Sequence, residues 1–178
     1  MNLAPKTELE AYELLLIMHL EGMLGSLRRL KPEHWDWTPD QAAPTPRTVA
    51  VHAWQWLMCD RQHIDEPDAT KHSNVLEPPA DCAEFCDAFQ LEIENWRRLL
   101  RDLTPEDLSQ PRHQFGFTEV EMNVRFFIGH MVQNVIYKHG QFSEVYFALG
   151  YDGVEPYSAP FPNAIYETVR QAAEQSAS

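Results

Sequence analysis

Positive charge is scarce in this sequence: 14 lysines and arginines stand against 27 aspartates and glutamates, a net charge of −13. A protein that tracks nucleic acid needs a basic footprint to neutralise phosphates, and no Lys/Arg-rich run is present. DNA, RNA and anionic membrane surfaces are therefore not expected partners. Cysteine is scarce as well. Cys59, Cys82 and Cys86 are too few and too odd in number for a disulfide framework, which points to a reducing cytoplasm. No apolar run reaches the roughly 18 residues of a membrane span. Met1 to Lys6 is too short and too polar for a signal peptide. Internal repeats, a Gly-rich phosphate loop and the GxSxG, HExxH and CxxC motifs are all missing.

What is present is helical periodicity. Hydrophobic residues make up 44% of the 178-residue chain, enough for one domain with a substantial core. Thr7-Glu8-Leu9-Glu10 reads as a capping box, and Leu9, Tyr12, Leu16, Leu20, Met23, Leu27 and Leu30 follow at helical spacing. Lys31-Pro32 stops that helix near Leu30, with His19 at its flank. Trp35 and Trp37 in the next loop suit a plug on the end of a core. Thr45-Pro46 supplies an N-cap and a first-turn proline for a second helix running to about Asp65. A polar connector leads to a third helix, capped at Asp81-x-x-Glu84 and carrying Phe85, Phe89, Trp96 and Leu100 on one side. Cys82 and Cys86, one turn apart, have no further ligands nearby to make a metal site. Gln110 to Phe117 reads as a loop or small hairpin. Thr118-x-x-Glu121 reads as the capping box of a long last helix, with Gly150 placed to end it in a left-handed conformation. Four long helices without convincing strands predict an all-α bundle.

Polar residues interrupt the apolar stripe of that last helix. At about 100° per residue, Tyr137 and Gln141 fall within about 20° of His130, Asn134 near 40° and Lys138 near 80°. His139 lies about 180° away on the opposite side. On the second helix His52, Trp56, Cys59 and His63 share one face with Asp60 at its edge. These two faces define the candidate pocket: His52, Trp56, Asp60, His63, His130, Asn134, Tyr137, Lys138 and Gln141.

Two segments carry a family resemblance. Leu30-x5-Asp36-Trp37-x-Pro39, followed by Arg47-Thr48-Val49 and His52, and Tyr137-Lys138-His139-Gly140-Gln141 with Leu149-Gly150, resemble DinB/YfiT-like proteins. The trailing Pro156-Tyr157 also suits them. The resemblance spans most of residues 7 to 157, leaving 158–178 as a C-terminal extension with room for a short helix. It implies a four-helix bundle of up-down-down-up connectivity, commonly a homodimer. It also implies a zinc or nickel ion on three histidines, and in some relatives thiol-dependent transferase activity.

Carried onto this chain, those three ligand positions are His52, Asn134 and Lys138, so two of the three histidines are replaced. Asn is a weak ligand for zinc or nickel, and a lysine ammonium repels a divalent ion. No cofactor is therefore expected. If a metal is held, His52 and His130 are its ligands, with Asp60 a third candidate; His130 otherwise packs as a hydrogen-bonded core histidine. Without a metal, Lys138 either pairs with a carboxylate such as Asp60 or serves the ligand. In the second case Lys138 and His52 are the catalytic candidates. The expected function is a degenerate, metal-free pocket for a small, anionic molecule. The alternatives are a metal- or Lys-dependent transferase or hydrolase and a non-catalytic dimeric module. Ile128, Val132, Ile136 and Phe147, away from the His130 stripe, would cover the dimer face.

Overall fold

A computed structural model describes residues 5–112 and 122–152. Within them lie four long helices: α1 (Glu8–Leu27), α2 (Pro46–Asp65), α3 (Cys82–Asp102) and α4 (Val124–Ala148). Side-chain caps set the starts. Thr7 accepts from the Glu10 amide, Thr45 from Thr48, and Asp81 from Ala83 and Glu84, each supplying an acceptor to otherwise orphaned helix donors. Helix α1 ends three residues earlier than its apolar spacing suggests; Leu30 is nonetheless buried. Gly150, at φ 80°, follows α4 in the left-handed region, where glycine lacks the Cβ penalty.

The start of α4 corrects the sequence reading. Thr118 and Glu121 lie outside the described residues, and the helix begins at Val124, with the Asn123 side chain accepting from the Phe126 amide. Immediately before it, β2 (Met122–Asn123) pairs antiparallel with β1 (Pro111–Arg112). That pairing holds the backbone extended up to the cap. Asn123→Ala is expected to cost about 1 kcal/mol, read as a lower denaturant midpoint with an unchanged slope.

Cross-helix contacts fix the directions. Glu8–Arg125 and His19–His139 make α1 and α4 parallel. Glu13–Arg101 and Glu21–Arg97 make α1 and α3 antiparallel. Trp54–Phe85 and Arg61–Glu92 make α2 and α3 parallel. The result is an up-down-down-up bundle, the connectivity expected.

Large side chains fill its centre, with Trp96, Phe85, Phe89, Phe127, Phe142 and Tyr146 all fully buried. Trp96 donates its indole N–H to the Leu57 carbonyl at 2.9 Å, so its polar atom is satisfied inside the core. Trp35 plugs one end, bonded to the Ala80 carbonyl and packed on Phe85. Asp36 pairs with Arg47 at 3.6 Å across the same junction. Tyr151 closes that end too, stacking on Tyr146 and meeting His34. Residues 153–178, including Pro156-Tyr157 and the C-terminal extension, lie outside the described residues. No described helix is long and apolar enough to cross a membrane.

Candidate functional site

Helices α2 and α4 run antiparallel, so their polar faces meet level by level. At one level His52 on α2, itself exposed, lies near enough to Lys138 for the ammonium to depress its pKa, adding to the larger effect of partial desolvation. Two turns along, Asp60 on α2 meets His130 on α4, Oδ2 to Nδ1 at 2.6 Å. Trp56, one turn from each α2 group, is in ring contact with both imidazoles: its centroid is 6.2 Å from His52 and 5.3 Å from His130. Asn134 sits on α4 between the two levels, its Oδ1 buried and without a hydrogen-bond partner among the described residues.

Lys138 does not pair with Asp60. Eight residues of helix, about 12 Å at 1.5 Å each, separate position 138 from 130, the level at which Asp60 is engaged. The Lys138 Nζ instead donates to Gln141 Oε1 at 2.9 Å and lies 5.3 Å from the Tyr137 ring centroid. Gln141 in turn donates to the Tyr137 hydroxyl. Partial burial lowers the Lys138 pKa. Tyr137, placed in the pocket by rotation alone, is 61% exposed and belongs to its outer rim.

At the far level, Asp60 is 1% exposed. Burial raises its pKa and the hydrogen bond from His130 opposes that rise. The same bond raises the pKa of His130 against its own desolvation. His63 lies beyond the pair, buried, stacked on Phe127 at 4.7 Å and 3.8 Å from the Cys59 sulfur. Burial raises the Cys59 pKa, and the Asp60 charge adds to it, so that thiol is held in its less nucleophilic form. No group of three His, Cys, Asp or Glu side chains among the described residues is placed to hold one metal ion.

Residues 16–142 match the model of the DinB superfamily. The chain belongs to that superfamily. A DinB-like protein of Bacillus subtilis is 14% identical, with a TM-score of 0.66 over 79% of this chain and 92% of its own. YfiT of Bacillus subtilis is 15% identical, with a TM-score of 0.64 over 84% and 91%. It has been described as a probable metal-dependent hydrolase with an unusual four-helix bundle topology. A conserved protein of Enterococcus faecalis is 12% identical, with a TM-score of 0.60 over 80% and 96%. No curated protein matches the chain. This DinB chain therefore shares its relatives' bundle, and its chemistry rests on its own side chains.

Rotation about α4 also separated a second histidine correctly, but not its environment. His139 faces α1, where its Nδ1 lies 3.0 Å from that of His19. His19, expected at the flank, is only 7% exposed, and His139 2%. The two rings meet edge to face at 5.2 Å. The sequence held a signal for this pair: positions 19 and 139 both fall within apolar helical stripes. Of the predicted dimer face, Ile128 and Val132 are core residues, whereas Ile136 and Phe147 are exposed, beside Phe126 and Tyr137.

Proposed function

We propose that the α2–α4 seam is a metal-independent site for a small anionic molecule, gripped at the His52–Lys138 level. The carrying observation is Lys138, a half-buried ammonium that donates to the neutral Gln141 and has no ion pair among the described residues. In a chain of net charge −13, a partly buried cation left to a carboxamide suits an anionic ligand. The His52 imidazole at the same level adds a donor, and Trp56 supplies an apolar wall. The donor set departs from the DinB metal centre: one imidazole, a carboxamide and an ammonium replace three imidazoles. Zinc and nickel favour nitrogen and sulfur donors that are free of a proton, and Lys138 does not offer one near neutrality.

Titration with succinate, inorganic phosphate and glutathione, followed by amide NMR shifts around Lys138, tests this reading. Lys138→Gln is expected to weaken binding of the responsive anion about tenfold, or about 1.4 kcal/mol. Unchanged affinity in that variant would refute it. Stoichiometric zinc or nickel in protein purified without a His tag, lost in His52→Ala, would refute its metal-free half.

A second reading, a homodimer through α4, is favoured by the exposed stripe of Phe126, Ile136, Tyr137 and Phe147. Light scattering at high micromolar concentration decides it. A transferase or hydrolase activity is the reading that the Asp60–His130 pair favours.

A further inference from the structure

The second level of the seam has no role in holding an anion two turns away, and its geometry is particular. The Asp60 side chain is 1% exposed and the His130 side chain 34% exposed. An ionised carboxylate only accepts hydrogen bonds, so with Asp60 ionised the His130 Nδ1 carries the proton of the 2.6 Å bond. That fixes the tautomer, and in the neutral ring leaves the lone pair on Nε2. The ring is also steadied from outside. Trp56 meets it edge to face at an interplanar angle of 79°, and Phe126 lies nearly parallel to it at 6°.

As a stability device the pair is poor. Asp60 Oδ1 is buried and without a hydrogen-bond partner among the described residues, which carries a desolvation penalty. A buried ion pair is commonly no better for stability than an apolar pair of equal volume. An arrangement that orients one imidazole edge while leaving a carboxylate oxygen unsatisfied is better suited to proton transfer.

We infer that His130 is a general base in the α2–α4 seam, acting through Nε2, and that Asp60 is its positioning residue. The inference deepens the anion-site reading, because it requires a ligand long enough to span the two turns between Lys138 and His130, anionic at one end and carrying an ester acyl carbon at the other. Nε2 takes the proton of a water molecule as the water oxygen bonds to the acyl carbon. The carbon–oxygen bond to the leaving group then breaks, and the leaving oxygen regains that proton from Nε2. Ester and water become acid and alcohol, and the histidine ends unchanged.

Hydrolysis of 4-nitrophenyl acetate by the full chain tests the step. The wild-type rate is expected to exceed that of His130→Gln at least tenfold and to fall in deuterium oxide. It should rise with pH and level off above the His130 titration midpoint. By NMR, neutral wild-type His130 should carry its proton on Nδ1, and Asp60→Asn should move its midpoint downward. Equal rates in wild type and His130→Gln would overturn the proposal, as would an Nε2–H tautomer in the wild type. The tautomer measurement needs no variant to fold. Unchanged anion affinity in Lys138→Gln, with a His130-dependent rate in the protein that keeps Lys138, would support the base and overturn the anion site. Loss of succinate or phosphate binding in Lys138→Gln, with no His130-dependent rate, would support the anion site and overturn the base.

Discussion

Lowering the pH from 7.5 to 4 is expected to remove about 3 kcal/mol of folding stability through one residue, His139. Its imidazole is sealed between α1 and α4. Burial, reinforced by the His19 ring, pushes its pKa from 6.5 down to about 4. The Nε2 atom is buried with no partner among the described residues, so a proton added there would be an uncompensated charge in an apolar seam. In the unfolded chain the same imidazole titrates near 6.5. The folded state therefore binds fewer protons, and the stabilisation is complete above about 6.5 and is lost as pH falls toward 4.

The Asp60–His130 pair runs the other way. Both folded-state pKa values are raised, so its contribution grows as pH falls through the folded values. The measurement is thus a comparison: urea midpoints of wild type and the His19→Leu/His139→Phe double variant at several pH values between 7.5 and 4.5. The double variant should be near wild type at pH 7.5, since replacing both hydrogen-bonding partners with apolar groups is often nearly neutral. Its advantage should then widen as the pH falls. Parallel pH profiles would show that His139 is not charged on unfolding.

These two histidine pairs mark the limit of what the chain reveals before folding. Rotation about α4 is set by 3.6 residues per turn, so the opposed faces of His130 and His139 are legible in sequence order alone. Caps are similarly local: Thr45-Pro46 marks the start of α2, and the helix ends at Asp65, near where the sequence places it. Asn123 was missed because its capping role depends on β2 pairing with β1, a contact between segments ten residues apart. The partners of the α4 side chains were harder still. His19 lies 120 residues from His139, and only the parallel packing of α1 on α4 joins them. The expected Lys138–Asp60 pair failed for the same kind of reason. Each residue was placed on its correct face, but the antiparallel level that sets Lys138 beside His52 sets Asp60 beside His130. Faces are properties of one helix; levels belong to two.

The same levels make a gain of function calculable. The double variant Asn134→His/Lys138→His is expected to bind zinc or nickel at least about a thousandfold more tightly than the wild type, a gain of about 4.1 kcal/mol. The two new imidazoles would stand one turn apart on α4, facing α2 at the level of His52, and would restore the three nitrogen donors implied by the DinB resemblance. Two changes act together. The Lys138 ammonium, which both repels a divalent ion and depresses His52, is removed. The carboxamide of Asn134 gives way to an imidazole, a far better ligand for these ions. Because the ligands must shed their protons, affinity should climb through pH 6 to 7, and a chelator should reverse it. Competition with a chromogenic chelator measures the affinity directly, and metal at 100 times its Kd should add about 2.7 kcal/mol to unfolding stability. Lys138→His alone should gain less, having two imidazoles rather than three. If the double variant gains no affinity while remaining folded, positions 52, 134 and 138 do not converge, and the anion site proposed at that level loses its geometric basis.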